Sequence, residues 1–313
     1  MSEKNKGILF AGITSLFWSM LPIKLKVALG FIDPFTIVWF RFAFAFLGLI
    51  IFILIKNPKA FKIILRPPVM ALVASLALGI NYFTYLYGIT LTSAGNAQII
   101  IQFGPMLLAV MGIFLFKEKF LKIQFIGLFL LLFGFLLFYF NKFTHMTLGQ
   151  HDFHIGSLWV FGAAVAWGFY AILQKELVKS INPQELNIIF YGVCFFLFLP
   201  LANFKTLSSL EPNQWGIMIS LGINTLVAYG LIGEALKRIP ANQVGVIITL
   251  NPLLTLIFIW AINKMGWNFI QKENLTLAGV LGALLFLAGA ILVITGPNLV
   301  KKNITPKLAK RPQ

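Results

Sequence analysis

The stretch W18-S-M-L-P-I-K-L-K26 lies in the first apolar run of the chain, and W167-G-F-Y-A-I-L-Q-K175 lies in the sixth. Each places a tryptophan, seven residues and a lysine inside a segment that reads as a membrane helix. The two are offset by 149 residues, and the register extends outward from them. At the same offset Gly7 meets Gly156, Leu9 meets Leu158, Ile32 meets Ile181 and Pro34 meets Pro183. An offset of 147 then pairs Tyr82 with Tyr229, Ala94 with Ala241, Ile101 with Ile248, Pro105 with Pro252 and Leu107 with Leu254. Gly127 and Gly134 correspond in spacing to Gly282 and Gly289. Apolar matches arise by chance, but Trp, Lys, Pro and Tyr in register mark an internal repeat, residues 1–149 and 150–313.

The composition says where this repeat sits. Of 313 residues 59% are hydrophobic and only 11% charged, with a mean hydropathy of +0.90. Soluble domains carry roughly 25% charged residues, so the solvent of this chain is a bilayer. The formal net charge of +16 would suggest an acidic partner in a soluble protein. Here basic cytoplasmic loops account for it, and no basic stretch forms a domain for nucleic acid. The single cysteine, Cys194, allows no disulfide within the chain. Lys4 and Lys6 precede an apolar run from Gly7 that resembles a signal peptide. The run is too long and lacks a small-x-small cleavage site, so it reads as a retained first helix.

A membrane helix takes about 20 apolar residues. Candidate spans fall near 7–29, 35–55, 69–91, 95–116, 121–140, 156–175, 186–203, 214–236, 243–263 and 275–295, joined by short connections rich in Pro and Gly. The expected fold class is therefore an all-α membrane protein of ten transmembrane helices. With the N-terminus in the cytoplasm, inner segments hold 18 basic residues, at Lys4, Lys6, Lys56, Lys59, Lys62, Arg66, Lys117, Lys119, Lys122, Lys175, Lys179, Lys237, Arg238 and the 301–311 tail. Outer loops hold 4: Lys142, Lys205, Lys264 and Lys272. This asymmetry puts both termini in the cytoplasm. Five spans per half is odd, so the second half enters from the opposite side. Such inverted repeats underlie alternating access around a site near the midplane. No connection is long enough for a catalytic or nucleotide-binding module, and no Gly-rich phosphate loop appears.

The order of these elements resembles the EamA family of the drug/metabolite transporter superfamily. The resemblance is carried by F17-W18-S19 to Lys26, Pro34 to Arg41-Phe42, S93-A94-G95 through P105-M106-L107-L108, and F116-K117-E118 followed by Gly127 and Gly134, with their second-half counterparts. Three departures stand out. Ser19 replaces a glycine that Gly168 keeps, Met265 stands where Glu118 has its counterpart, and Phe190 stands where Arg41 would recur. The resemblance implies a multi-pass protein of the bacterial inner membrane that exports small metabolites, often amino acids or their derivatives. It places helices 1–4 and 6–9 around a central cavity with helices 5 and 10 peripheral.

Charged residues within a span cost about 2.5–3.5 kcal/mol on insertion scales and are functional candidates by default. Arg41 lies roughly 9 Å below the outer end of helix 2. It reads as a cavity cation for a carboxylate or phosphate, or as a structural arginine bonded to carbonyls. Lys24 and Lys26 sit roughly 200° apart on helix 1, so both cannot face the cavity. They read as interfacial anchors, with Asp33 a possible partner of either. Lys26 and Lys175 are expected to reach headgroups at opposite faces. That leaves Trp18 and Trp167 about 12 Å deeper, where with Tyr170 they can stack on a planar or apolar substrate.

Gln98, Gln102 and Pro105 share a face of helix 4, and helix 9 offers Thr249, Asn251, Pro252 and Thr255. The two prolines free carbonyls and act as hinges, and the two helices are expected to face each other across the cavity. Asn81, Tyr82, Tyr85 and Thr92 on helix 3, and Asn224, Thr225 and Tyr229 on helix 8, add polar and aromatic lining. Glu234, near Lys237 and Arg238, is the one acid deep enough to consider for proton coupling, with neutralisation by its basic neighbours the blander reading. H151-D-F-H154, with His145 nearby, reads as an exposed polar loop, since a zinc site needs more ligands at defined spacing. The glycine pairs read as helix-packing faces.

The leading functional reading is a carrier of a small metabolite, an amino acid or related amphipathic compound bearing a carboxylate or phosphate. It needs no cofactor or metal and no partner beyond substrate and lipid bilayer, and a monomer suffices. The alternatives are a membrane-embedded enzyme acting on lipid, which needs a nucleophile or metal cluster at one depth, and a passive pore, which the inverted repeat disfavours.

Overall fold

The repeat mates Asp33-Pro34 and Asn182-Pro183 each open a long helix. Proline suits the first turn because its missing N–H had no partner there anyway. The residue before it caps the exposed N–H groups. The Asp33 carboxylate accepts from the Thr36 amide at 3.0 Å and the Thr36 hydroxyl at 2.6 Å, and Asn182 Oδ1 accepts from the Gln184 amide at 2.9 Å. Asp33 is thus a helix cap, which corrects the expected pairing with Lys24 or Lys26. At Pro212 the cap is reciprocal, formed by Glu211 and Gln214.

A computed structural model describes residues 1–56, 58, 62–92, 94–117, 121–144 and 151–265, and helical pieces between 277 and 292. Of the residues read above, Lys59, Ser93, Glu118, Lys119, His145, Lys272 and the 301–311 tail lie outside this description, as do the side chains of Lys62, Lys142 and His151.

The helices are α1 (Glu3–Ser19), α2 (Leu21–Ala28), α3 (Pro34–Lys56), α4 (Lys62–Leu65), α5 (Val69–Leu91), α6 (Ala94–Ile100), α7 (Phe103–Phe114), α8 (Lys122–Thr144), α9 (His151–Leu177), α10 (Pro183–Phe198), α11 (Phe204–Ser208), α12 (Pro212–Arg238), α13 (Ala241–Ile248) and α14 (Asn251–Lys264). Among the described residues there is no strand. Eight stretches are long and apolar enough to cross a membrane: α1 with α2, α3, α5, α6 with α7, α9, α10, α12, and α13 with α14. The expected fifth span falls on α8, whose apolar part, Lys122–Leu137, is shorter than those eight, and the expected tenth falls on the pieces between 277 and 292.

The chain forms two compact units, Met1–Gly112 with Gln150–Ile270, and Ile113–Gly149 with Gln271–Gln313. In the second unit the two glycine pairs meet backbone to backbone. A Cβ at Gly134 would stand 2.7 Å from the Gly282 carbonyl oxygen, and one at Gly289 would stand 2.5 Å from that of Gly127. The expected packing faces are therefore real contacts.

In the first unit α5 runs along α9, and α1 runs along α12. Each pair joins one helix from each half of the sequence, and small residues let the backbones approach. A Cβ at Gly156 would lie 2.8 Å from Leu91 Cβ and 2.9 Å from the Gly88 carbonyl oxygen. One at Gly7, the repeat mate of Gly156, would lie 2.7 Å from Ile239 Cγ2. The pairs are also cross-bonded. Asn81 Nδ2 donates to the Ala163 carbonyl at 2.9 Å, and Thr14, the mate of Ala163, donates to the carbonyl of Ala228, the mate of Asn81, at 3.2 Å. α3 and α10, mates themselves, pack on each other and across the pairs.

The surface of this unit is inverted relative to a soluble protein. Arg41, Asn81, Gln98, Gln102, Gln174, Asn187, Asn224, Thr225, Gln243 and Asn251 are buried, while Leu47, Ile51, Phe52, Leu54 and Ile55 on α3 and Leu158, Phe161, Val165 and Phe169 on α9 are exposed. Apolar surface outside and polar side chains inside is the arrangement a bilayer selects.

Where the first half carries Pro22 the second carries Ala171, and this difference breaks helix 1. Pro22 has no N–H for the Trp18 carbonyl, so α1 ends at Ser19 and α2 begins at Leu21, whereas α9 continues unbroken. The carbonyls at the break find other donors. Ser19 Oγ bonds the Leu16 carbonyl at 2.7 Å, Asn224 Nδ2 bonds that of Phe17 at 2.5 Å, and Thr255 Oγ1 bonds that of Ser19 at 2.7 Å.

Two outcomes follow for stability. Asn224→Ala, which strands the Phe17 carbonyl, is expected to destabilise the protein by about 1–3 kcal/mol, read as a lowered thermal midpoint in detergent. Gly156→Leu, which forces α5 from α9, is expected to cost about 1–3 kcal/mol by overpacking, whereas the same change at Gly162, where a Cβ meets nothing within 4 Å, should leave the midpoint unchanged.

Candidate functional site

The broken helices surround a small cavity of about 60 Å³. Helices 4 and 9 are each interrupted just ahead of their prolines, at Ile101-Gln102 and at Thr249-Leu250. Pro105 and Pro252 remove the N–H groups that would have bonded the Ile101 and Ile248 carbonyls. The Gly104 amide takes the first at 3.0 Å. With its nitrogen facing its acceptors, the Asn251 side chain takes the second at 3.1 Å, and also the Ser15 carbonyl at 3.1 Å and the Ser15 hydroxyl. The repeat mates of Asn251 and Ser15 are Gly104 and Ala164, which touch in the same way: a Cβ at Gly104 would stand 2.8 Å from the Ala164 carbonyl oxygen.

The wall facing the cavity is built of Trp18, Leu21, Arg41, Asn81, Tyr82, Tyr85, Gln98, Ile101, Gln102, Pro105, Trp167, Tyr229, Ile248 and Asn251. The sequence-derived candidates Trp18, Arg41, Asn81, Tyr82, Tyr85, Gln98, Gln102, Pro105, Trp167, Tyr229 and Asn251 are thus brought together. Helices 4 and 9 contribute to one cavity. Tyr170, Thr249 and Pro252 stand behind this wall. Tyr170 is fully buried with its ring 6.0 Å from that of Tyr229, and Thr249 Oγ1 bonds the Val246 carbonyl at 2.7 Å. Leu21, Ile101 and Ile248 also line the cavity; the repeat pairs the two isoleucines, but no chemistry in the sequence marks any of the three as lining.

Aromatic repeat mates meet at the centre. The Trp18 and Trp167 rings pack edge to face with centroids 5.6 Å apart, and Tyr82 and Tyr229 lie 5.7 Å apart. Trp18 also packs on Tyr229 at 5.2 Å. Residues related by the repeat touch each other only near its pseudo-two-fold axis, so this cluster marks where the axis passes.

Arg41 is the charged member. It is 3% exposed. Its Nε donates to Thr225 Oγ1 at 3.0 Å, and its guanidinium carbon stands 4.3 Å above the centre of the Tyr82 ring. Tyr82 donates to the same Thr225 hydroxyl at 3.4 Å, which itself donates to the Leu221 carbonyl at 3.1 Å. Among the described residues no carboxylate pairs with Arg41, and its two terminal nitrogens carry no protein hydrogen bond. Other lining groups are also underused. Tyr85 donates to Gln98 Oε1 at 3.3 Å and Gln102 Nε2 to the Gln98 carbonyl at 3.0 Å, but Gln102 Oε1 and Trp18 Nε1 are buried without partners. The cavity thus offers an anion-binding fork, amide acceptors and aromatic faces.

The remaining charged candidates lie elsewhere. Glu234 is paired with Arg238, which also bonds Glu3 at 2.9 Å; it does not line the cavity. Lys24 is half-buried on α2, outside the lining set. Lys26 and Lys175 also lie outside the lining set, and each bonds carbonyls at a helix end. Lys26 donates to the carbonyls of Ile89 and Thr92 at 3.2 and 3.4 Å, and Lys175 to those of Leu236 and Ile239, both at 2.8 Å. Helix C-termini present unbonded carbonyls and a negative dipole end, and the ammoniums go there.

The EamA-like transporter family model matches residues 5–140 and 154–295, once per half. An uncharacterised inner membrane transporter of Escherichia coli K12, YhbE, is 32% identical over 296 residues, covering 94% of this chain and 92% of that protein. An uncharacterised transporter of Haemophilus influenzae Rd is likewise 32% identical over 296 residues, covering 94% of this chain and 96% of its own length. A solved crystal structure at 17% identity superposes with a TM-score of 0.71 over 93% of this chain and 97% of its own, which shows a shared fold. With two family matches in register with the repeat, and membrane-length helices enclosing a polar cavity, the chain belongs to the EamA-like transporter family and is a multi-pass inner-membrane protein.

Proposed function

We propose that this transporter is an alternating-access carrier that exports a small amphipathic metabolite bearing a carboxylate or phosphate, an amino acid or a related compound. Ten spans would form two inverted repeats of five with both termini in the cytoplasm. The observation that carries the reading is Arg41, a buried guanidinium with unbonded nitrogens facing a cavity walled by Trp18, Trp167, Tyr82 and Tyr229. Such a fork matches a carboxylate or phosphate in two-point geometry. The aromatic walls suit an apolar body, and Gln102 Oε1 offers an unfilled acceptor for a donor on the same molecule. Breaks in helices 1, 4 and 9 around the cavity are the kind of discontinuity on which carrier sites are built.

Thermal stabilisation across a metabolite panel identifies the cargo class directly. The compounds that raise the midpoint are expected to share an anionic group and an apolar body. In proteoliposomes the labelled hit should show counterflow, which a pore does not give, and should emerge chemically unchanged, which an enzyme's substrate does not. Arg41→Gln is expected to lower its uptake at subsaturating concentration by roughly tenfold to a hundredfold, the worth of a charged hydrogen-bonded pair, with Arg41→Lys in between. Wild-type flux in both variants, at equal expression, would remove Arg41 from the site.

Direction has its own test. A net-anionic cargo crossing alone is driven outward by an inside-negative potential, at about 2.3 kcal/mol per charge per 100 mV. Efflux of a net-anionic hit from vesicles should therefore accelerate when a potassium diffusion potential makes the interior negative, and slow when the sign is reversed.

A further inference from the structure

We propose that Lys26 and Lys175 are the two gate latches of the transport cycle, one closing each end of the cavity. The proposal rests on the alternating-access reading above and adds to it the groups that hold each end shut.

The argument starts from the helix pairs. α5 is sealed to α9 by Gly88 and Gly156, and α1 to α12 by Gly7. Side-chain bonds reinforce each pair internally, Asn81 to the Ala163 carbonyl in one and Thr14 and Asn224 to the carbonyls of Ala228 and Phe17 in the other. Each pair therefore moves as a body. The cavity lies between them, with Asn81 and Trp167 on one side and Trp18 and Tyr229 on the other.

The lysines cross from body to body. Lys26 stands on α2, which continues α1, and its ammonium binds the Ile89 and Thr92 carbonyls that end α5. Lys175 stands on α9 and binds the Leu236 and Ile239 carbonyls that end α12. The two bridges lie at opposite ends of the unit. The start of α9 packs on the end of α5, and the start of α1 packs on the end of α12, so the carbonyls that end α5 and α12 are at opposite faces. The repeat relates the bridges at every atom. Lys26 and Lys175 are mates at an offset of 149, and Ile89 with Leu236 and Thr92 with Ile239 are mates at 147.

Opening one end requires the bodies to part there, and that breaks one lysine's two bonds while the other's remain. The central contacts, Trp18 on Trp167 and Tyr82 on Tyr229, lie between the latches and serve as the fulcrum. The Lys175 bonds are 2.8 Å, against 3.2 and 3.4 Å for Lys26.

A reporter cysteine in the cavity tests this without any cargo. Ile101→Cys in a Cys194→Ala background is labelled with a membrane-impermeant maleimide from either face of oriented vesicles. Lys26→Met is expected to raise the labelling rate about tenfold from the face on which residue 26 lies, and Lys175→Met about tenfold from the opposite face, as each releases two charge-assisted bonds. Lys26→Arg and Lys175→Arg, which keep a donor cation, should stay near the wild-type rate. Loosened folding would raise labelling from both faces in both variants, so that result overturns the proposal, as do Met variants that label like wild type. A wild-type cavity labelled at full rate from both faces would instead defeat the carrier reading itself.

Discussion

Inside a bilayer a backbone carbonyl without a donor has no water to turn to. That constraint organises this molecule, because three of its membrane helices are broken around one cavity and each break releases carbonyls. Several of the donors that take them come from the other half of the sequence. Asn224 and Thr255 serve Phe17 and Ser19 at the break in helix 1, and Ser15, from helix 1, reaches the Ile247 carbonyl at 3.4 Å beside the break in helix 9. Lys26 and Lys175 each keep to their own half, serving the ends of helices 3 and 8. The compact unit that holds the cavity accordingly draws on both halves of the chain. The polar side chains in its interior do two jobs at once: they complete broken helices and they give the cavity its polarity.

The scaffold is symmetric and the site is not. Tryptophan meets tryptophan and tyrosine meets tyrosine at the axis, and both lysines end on equivalent carbonyls. Away from these, the polar lining of the first half has plain counterparts: Arg41 corresponds to Phe190, Asn81 to Ala228, Gln98 to Gly245 and Gln102 to Thr249. The exchange is physical as well as chemical. Gly245 packs directly on Pro105 and Ala109, a contact its mate Gln98 could not make, and Phe190 is fully buried with its ring 5.2 Å from that of Tyr170. Duplication supplies the paired scaffold, and divergence gives the cavity a polar side.

Much of this is legible in one dimension. Span lengths, the offset of 149, and the matched prolines of helices 4 and 9 are patterns along the chain, and they lead to the cavity wall and to Trp18 and Trp167 as its symmetric members. Ends of side chains are less legible. Lys26 sits at the end of a span, where a headgroup is the default partner, and nothing nearby in sequence shows that the last turn of helix 3, over 60 residues on, lies within its reach. Asp33 reads as a charge, whereas its place before Pro34 makes it a cap. Pro22 is visible in the opening stretch, but a proline three residues past a serine signals a break only once Ala171 in the matching position shows the difference. Leu21, Ile101 and Ile248 carry no chemistry that spacing could flag; they line the cavity because the helix breaks turn them inward.

The energetics of Arg41 connect the site to movement. Taking a guanidinium out of water costs several kcal/mol even after relaxation. The bond to Thr225 and the face of Tyr82 return about 1.5–3 and up to about 2 kcal/mol, and most of the guanidinium's five donors remain unused. Its terminal nitrogens therefore need water or a bound anion, and in the proposed carrier cycle water would reach the cavity only while one end is open. An empty carrier that closes both ends must strip or trap that water around a net positive charge. In that proposed cycle a bound carboxylate or phosphate would replace the water with a fixed partner and neutralise the charge, so the closed state between the two open ones would become accessible chiefly when loaded. On this reasoning a single unpaired arginine does more than select anions. In the proposed cycle it would tie the rocking of the two helix pairs to occupancy without needing a carboxylate relay, and this suits a site whose described lining contains no acidic side chain.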